Sequence, residues 1–241
     1  MNTLITIAAV LNLSVCGGVK TGKLLGWEAG SDALLEIDLD TGEATILHSF
    51  DVEPTGLGLA VGPNGTLYAA FGGDVEGLVI VDPVTGELSV VGPFGFEAVS
   101  GLAFGPDGTL YGVDEVSDQL ITIDALTGEG TAVGFTGVSN HQGLAFTPDG
   151  TLYLVGTPGL ESILYTVDPD TGEATQVGRF GSNLRFSAAV ESIGEVLYAS
   201  AYDPFDAPYD VLVTLDPETG DGPLERELPR IHDLDFKLSA G

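Results

Sequence analysis

An all-β ring of five four-stranded antiparallel sheets is what the sequence predicts, and three observations predict it. The chain writes one pattern five times at a nearly constant interval. Each copy divides into four short strands separated by turn residues. No stretch carries a sustained 3.6-residue apolar period bracketed by caps, so essentially no helix is expected.

The most regular element is an apolar strand that ends in aspartate and runs into a turn. It reads LLEIDLDTGE from Leu34, LVIVDPVTGE from Leu78, LITIDALTGE from Leu120, LYTVDPDTGE from Leu164 and LVTLDPETGD from Leu212. The closing residues Asp38, Asp82, Asp124, Asp168 and Asp216 lie 44, 42, 44 and 48 residues apart. A second element precedes the later four copies: PNGTLY ending at Tyr68, PDGTLY ending at Tyr111 and at Tyr153, and IGEVLY ending at Tyr198. In the first copy Leu25 of TGKLLGW takes the tyrosine position.

Each unit therefore parses as strand A (GLAF), strand B (TLYGV), strand C (LITID) and strand D (TAVG), all rich in β-branched and aromatic residues. P-D-G-T joins A to B: proline presets φ, aspartate bonds its own backbone, and glycine takes a positive φ. D-P-x-T-G joins C to D on the same logic. The aspartates of these turns read as turn-makers before they read as metal ligands.

A four-stranded unit at this period is a β-propeller blade, so the fold expected is a five-bladed β-propeller. The first copy lacks a good strand A in VCGGVK, and DLDF at Asp233–Phe236 supplies that pattern at the other end. The ring is thus expected to close by the C-terminal strand pairing with the first blade, which removes an exposed edge. Residues 21–241 then form a single propeller domain, with residues 1–20 outside it. The run LITIAAVLNLSVCGG, Leu4 to Gly18, resembles the apolar core of a secretory signal, a further β-strand being the other reading. It is too short and too interrupted to span a bilayer, and no transmembrane helix is expected.

Composition narrows the partners. With 7 Lys and Arg against 36 Asp and Glu, the formal charge is −29, yet 44% of residues are hydrophobic, enough for a core. Such a polyanion repels phosphate backbones and anionic lipid, so nucleic acid is not an expected partner. It attracts cations, and salt screens its self-repulsion. Cys16 is the single cysteine, which excludes an intrachain disulfide framework. The chain is expected as a monomer.

GLAFGPDGTLYGVD followed by LITIDALTGE resembles the repeats of exported bacterial β-propeller proteins and is more loosely similar to NHL-repeat and gluconolactonase-like propellers. The resemblance covers nearly the whole ring and implies an extracellular or periplasmic location, secreted rather than lipid-anchored through Cys16. Its motifs encode turns, so they specify fold far better than activity. The gluconolactonase likeness implies a channel cation held by Glu, Asn and Asp on six blades. This chain has five repeats, and only Glu191, Asp233 and Asp235, with His141, His232 and Asn140 nearby, stand where such a cluster would form.

Alternation along a blade puts A–B and C–D turns on one face and B–C and D–A loops on the other. The first face repeats; the second varies, and variable loops on a rigid scaffold are where binding sites form. All three histidines, His48, His141 and His232, map to D–A loops, with His141 and His232 closest to the channel mouth. Gln142 accompanies His141. The longest B–C loop, AYDPFDAPYD, carries Tyr202, Phe205 and Tyr209 among acids, a composition suited to stacking on a sugar or gripping a peptide. Arg185 enters the same face and could clamp an anion. On strand A, Ala60, Ala103 and Ala145 hold the third position; Asp235 falls there on the closing strand, and Glu191 falls where Phe104 stands. Carboxylates beside a narrow channel lose hydration, which a bound Ca²⁺ on oxygen ligands would restore. Water filling the channel is the alternative.

No nucleophile elbow, P-loop or zinc-protease motif is present. The expected function is a non-catalytic exported propeller that binds a ligand or protein partner through its loop face. The alternatives are a Ca²⁺-dependent lactonase-like hydrolase at the channel mouth and a purely structural repeat module.

Overall fold

A computed structural model describes residues 5–10, 14–16, 19–21, 23–28, 33–39, 44–50, 58–72, 76–159, 161–180, 185–202 and 210–222. The chain opens with β1 (Ile5–Val10), then a small hairpin of β2 (Ser14–Cys16) and β3 (Val19–Thr21). Blade 1 continues with β4 (Lys23–Glu28), β5 (Ala33–Asp38) and β6 (Ala44–Ser49). Blade 2 is β7 (Leu59–Val61), β8 (Leu67–Phe71), β9 (Gly77–Val81) and β10 (Leu88–Gly92). Blade 3 is β11 (Val99–Phe104), β12 (Leu110–Asp114), β13 (Gln119–Ile123) and β14 (Gly130–Phe135). Blade 4 is β15 (His141–Phe146), β16 (Leu152–Gly156), β17 (Ile163–Val167) and β18 (Ala174–Arg179). Blade 5 shows β19 (Arg185–Ile193), β20 (Val196–Tyr202) and β21 (Asp210–Leu215). All pairings are antiparallel between neighbours, and the described residues contain no helix.

Five apolar clusters hold the ring, one at each junction between blades. Leu25, Trp27 and Leu34 meet Leu59, Leu67 and Phe71 between blades 1 and 2. Tyr68 and Leu78 meet Leu102, Leu110 and Ile121 between blades 2 and 3. Val113 and Leu120 meet Leu144, Leu152 and Leu154 between blades 3 and 4, and Tyr153 and Leu164 meet Val190 and Leu197 between blades 4 and 5. The fifth cluster joins Ala189, Ile193 and Leu212 of blade 5 to Leu24, Leu35 and Ile37 of blade 1, so the last blade packs on the first. This closure makes the molecule a five-bladed β-propeller, as the repeat predicts.

The strand that completes blade 1 differs from the expectation. β1 pairs with β4, Ile7 opposite Gly26 and Ala8 opposite Leu25, in the slot expected for the C-terminal strand. Asp233–Phe236 lies outside the described residues. The reason is legible in hindsight. Thr6-Ile7-Ala8 follows the small, large-apolar, alanine order of Gly58-Leu59-Ala60, and Ala60, Ala103 and Ala145 pair with Tyr68, Tyr111 and Tyr153 as Ala8 pairs with Leu25. The ring therefore includes residues that the sequence reading set outside it.

The turns behave as their chemistry requires. The side chain of Asp82 accepts the N–H groups of Val84 at 2.8 Å and Thr85 at 3.0 Å; Asp168 and Asp216 do the same for Asp170 and Thr171, and for Glu218 and Thr219. Asp107 and Asp149 accept from the backbone of Thr109 and Thr151. These bonds to the charged form hold the Asp82 and Asp107 carboxyls below the usual carboxylate range, and at Asp149 the Thr147 hydroxyl, donating at 2.6 Å, followed by the Thr151 N–H, does the same.

The glycine of each D-P-x-T-G turn has a second duty. Gly134 on the outer strand of blade 3 abuts Thr171 and Gly172 in the C–D turn of blade 4, so closely that a Cβ on Gly134 would overlap the Thr171 carbonyl oxygen. Gly92 meets Thr127 and Gly128, and Gly178 meets Thr219 and Gly220, in the same way. Gly172 also sits at φ +80°, where a side chain is strained. In blade 1 the outer-strand position is His48, paired with Leu34 as Gly134 is with Leu120. Its ring fills the space against Gly86, and its Nε2–H donates to the Pro83 carbonyl at 3.1 Å. His48 is thus a joint residue on β6 and not part of a loop.

Candidate functional site

On the loop face, unusual chemistry concentrates where blades 3 and 4 meet. His141 opens β15, opposite Gly156. It takes the place that Val99 has on β11 opposite Asp114, so a ring replaces an aliphatic side chain at a buried strand start. His141 is 0% exposed. Its Nε2 lies 2.8 Å from Thr136 Oγ1, its Nδ1 has no hydrogen-bond partner, and Asp118 Oδ1 stands 4.0 Å from that Nδ1. Burial lowers the pKa of His141 despite the opposing pull of the Asp118 charge, the Val138 carbonyl and the Asp114 charge.

Thr136 is the hub. Its N–H donates to the Asp118 carbonyl at 3.0 Å, its carbonyl accepts from Ala174 of blade 4 at 3.3 Å, and its hydroxyl accepts from the Val138 N–H at 3.2 Å. One residue so ties the B–C turn of blade 3, the β14–β15 loop and the outer strand of blade 4. Asn140 bridges onward: its Nδ2 donates to the Thr157 carbonyl at 3.1 Å, and its own carbonyl accepts from the Thr157 N–H at 3.0 Å. The buried Thr157 hydroxyl has no partner.

Asp118 at φ +54° and Asn140 at φ +52° are the non-glycine residues with positive φ among the described residues, and they flank His141 on two sides. Strain of this kind survives only where surroundings impose it, and it gathers at functional positions. Asp114, 2% exposed, anchors the same turn. It accepts from Ala98 N–H at 2.9 Å, Ser117 N–H at 2.8 Å and Ser117 Oγ at 2.6 Å. Burial acts to raise its pKa, but these bonds outweigh burial and hold the carboxyl below its ordinary value.

The other expected residues fall as follows. Gln142 is half-buried beside His141 on the inner strand. Arg185 and Tyr202 are opposite one another at the loop-face end of blade 5, as their placement on one face requires. Phe205, Tyr209, His232, Asp233 and Asp235 lie outside the described residues. Glu191 is opposite Tyr198, the register of Ala103 and Ala145, not that of Phe104. The expected offset is one residue wrong, because the β19–β20 connection is one residue shorter than its counterparts: Glu191 is seven positions from Tyr198, whereas Ala103 and Ala145 are eight from Tyr111 and Tyr153. Glu191 Oε1 accepts the Ser192 N–H at 2.9 Å. Among the described residues no three His, Cys, Asp or Glu side chains converge as a metal site, and no helix is long and apolar enough to cross a membrane.

Sequence reasoning reached His141 and Asn140 but missed Asp114, Asp118, Thr136 and Thr157. One signal was available for Asp114: it ends strand B three residues after the tyrosine, where the other blades carry Phe71, Gly156 and Ala201.

The molecule is thus defined as a β-propeller whose distinctive polar chemistry sits at a loop-face junction. No protein-family model and no curated protein sequence matches it. Solved structures do. A gluconolactonase from Xanthomonas campestris is similar at a TM-score of 0.62 and 14% identity, over 92% of this chain and 75% of that one. A PQQ-bound aldose sugar dehydrogenase from Streptomyces coelicolor is similar at 0.56 and 16%, over 91% and 79%. A chain of the nidogen/laminin complex is similar at 0.55 and 13%, over 80% and 89%. Identities this low carry the fold alone.

Proposed function

We propose that this chain is a non-catalytic binding propeller that engages a small ligand or a protein partner through the face bearing its B–C and D–A loops. One observation carries the reading: the two faces differ in how their polar groups are used. On the turn face, aspartates such as Asp82, Asp168 and Asp216 are taken up by the backbone of their own hairpins. On the loop face, two left-handed non-glycine residues and unpartnered polar atoms of His141 and Thr157 gather at one junction. The neighbours named above include a protein complex and sugar-related enzymes, a range consistent with function residing in loops rather than in the scaffold.

A thermal-shift screen over aldonolactones, oligosaccharides, basic and neutral peptides and divalent cations tests it. The expected result is a ligand that raises the unfolding midpoint of the wild-type protein. That shift should be lost in an Asn140→Gly, Asp118→Gly double variant and kept in the turn-face variant Asp124→Asn. Cation-dependent hydrolysis of a lactone by the purified protein would replace this reading with the hydrolase.

A further inference from the structure

We propose that His141 is an acid-release latch: when neutral it locks the β14–β15 loop onto the B–C turn of blade 3, and uptake of one proton at Nδ1 frees that loop and opens the joint between blades 3 and 4. The inference concerns the loop face whatever that face binds, and its test needs no ligand.

Hydrogen-bond accounting fixes where the proton goes. The Thr136 hydroxyl has one hydrogen and two lone pairs. One lone pair accepts the Val138 N–H. The carbonyls of Asp118 at 3.2 Å and Val138 at 3.4 Å are acceptors only, and the hydroxyl hydrogen serves one of them in the tautomer that has the ring hydrogen on Nε2. The second lone pair then accepts from His141 Nε2–H at 2.8 Å, and we assign this tautomer because it uses every bonding site of the hydroxyl. Nδ1 is left as a bare lone pair, buried and unpartnered, facing a carboxylate oxygen 4.0 Å away. That atom is the open site on the ring where a proton can add.

The charged groups that face the ring are Asp118 and Asp114, both from the B–C turn of blade 3. Asp114 already has both oxygens bonded to Ala98 and Ser117. The β14–β15 loop presents the Thr136 hydroxyl and the Val138 carbonyl to the ring, both neutral. Burial of an imidazolium in this pocket costs more than the Asp118 and Asp114 charges and the Val138 carbonyl return, so acid favours any state in which the ring is hydrated. The exit is toward Asp118, whose side chain is 45% exposed at the rim. Leaving requires the 136–140 segment to lift, which breaks the Thr136–Asp118 and Asn140–Thr157 backbone bonds. The positive φ of Asp118 and Asn140 gives both a local reason to relax once the ring departs.

Native-state hydrogen exchange on the intact protein, from about pH 7.5 to pH 5, tests the latch across the range where an ordinary histidine titrates. After correction for intrinsic exchange, the amides of Thr136, Val138 and Thr157 should lose protection by up to about tenfold per pH unit, the limit for one linked proton. The hairpin amides Gly108 and Gly150, bonded to Gly105 and Thr147, should stay level. His141→Gln, which keeps a donor for Thr136 and has no titration, should remove the acid loss. Asp118→Asn, which removes closed-state charge favouring the imidazolium, should deepen the acid loss. Ring nitrogen shifts at neutral pH should show hydrogen on Nε2 and none on Nδ1. Protection that is flat with pH in the wild type overturns the latch, as does an equal acid loss in His141→Gln or hydrogen found on Nδ1. Should the glutamine variant fail to fold, an acid loss not deepened by Asp118→Asn overturns it equally.

Discussion

Asp114 and His141 occupy equivalent-looking ends of neighbouring strands, and burial treats them oppositely. Asp114 keeps its charge because three donors surround it. Asp114→Ala leaves the Ala98 and Ser117 N–H groups without acceptors in a buried turn, and should cost about 2–3 kcal/mol in urea unfolding. Since its folded pKa is depressed, its contribution is full above the ordinary aspartate value and disappears as pH falls through the lower folded one. His141 has a depressed folded pKa with the reverse meaning: below about pH 6.5 the unfolded chain takes a proton that the folded form resists. Stability should therefore fall on going from neutral to mildly acid pH, by up to about 1.4 kcal/mol per unit, well before the carboxylates titrate. Urea midpoints of wild type and His141→Gln at several pH values measure this, and parallel curves would refute it. His141 could be singled out in the sequence because a histidine near a strand start is rare in this chain. Its partners could not, since Asp118 and Thr136 reach it only once a turn and a loop from different strands converge.

Elements repeat because their turns do, and the turn sequences announced their own geometry. What they concealed is the contact that the turns of blades 2 to 5 make with the preceding blade. T-G in D-P-x-T-G reads locally as a positive-φ closure, and so it is, but Gly172 also lies 2.6 Å from the Gly134 carbonyl oxygen when a Cβ is built on it. The partner glycine on strand D sits at a register shift, where two residues of the outer strand answer one of its neighbour. Gly134→Ala and Gly178→Ala should each cost about 3 kcal/mol, because backbone, not a flexible side chain, stands in the way. Gly65→Ala, with φ +81° and nothing nearby, should cost only about 1–2 kcal/mol from conformation. Equal losses at the three sites in denaturant titrations would remove the joint from the account. Sequence periodicity could not reveal this contact, since it links residues one blade apart whose spacing carries no local signal.

Over the whole molecule, blade count and closure follow from two different kinds of information. The count was legible, because five C–D motifs at steady spacing leave no room for a sixth. The closing strand was misassigned, because DLDF and TIAAV both satisfy the inner-strand pattern and pattern alone cannot rank them. Charge adds a global strain: from residue 24 to residue 178 the chain has no lysine or arginine, and the Arg179–Glu161 pair at 2.7 Å is too exposed to offset much. Raising salt should therefore raise the unfolding temperature, and a midpoint that fell with sodium chloride would argue against repulsion as the cost. Closure itself is decided by two substitutions in the intact chain. Ile7 stands opposite Gly26, the register in which Leu102 stands opposite Gly112 and Leu144 opposite Leu154, and both leucines are 2% exposed. At the equivalent register position the leucines are buried, so a carboxylate there loses its hydration and Ile7→Asp should cost about 4 kcal/mol or unfold the ring. Leu234→Asp should leave the midpoint nearly unchanged if β1 holds the slot beside β4. The opposite ranking, with Leu234→Asp ruinous and Ile7→Asp harmless, would return the closing role to the C-terminal strand and set Ile5–Val10 outside the ring.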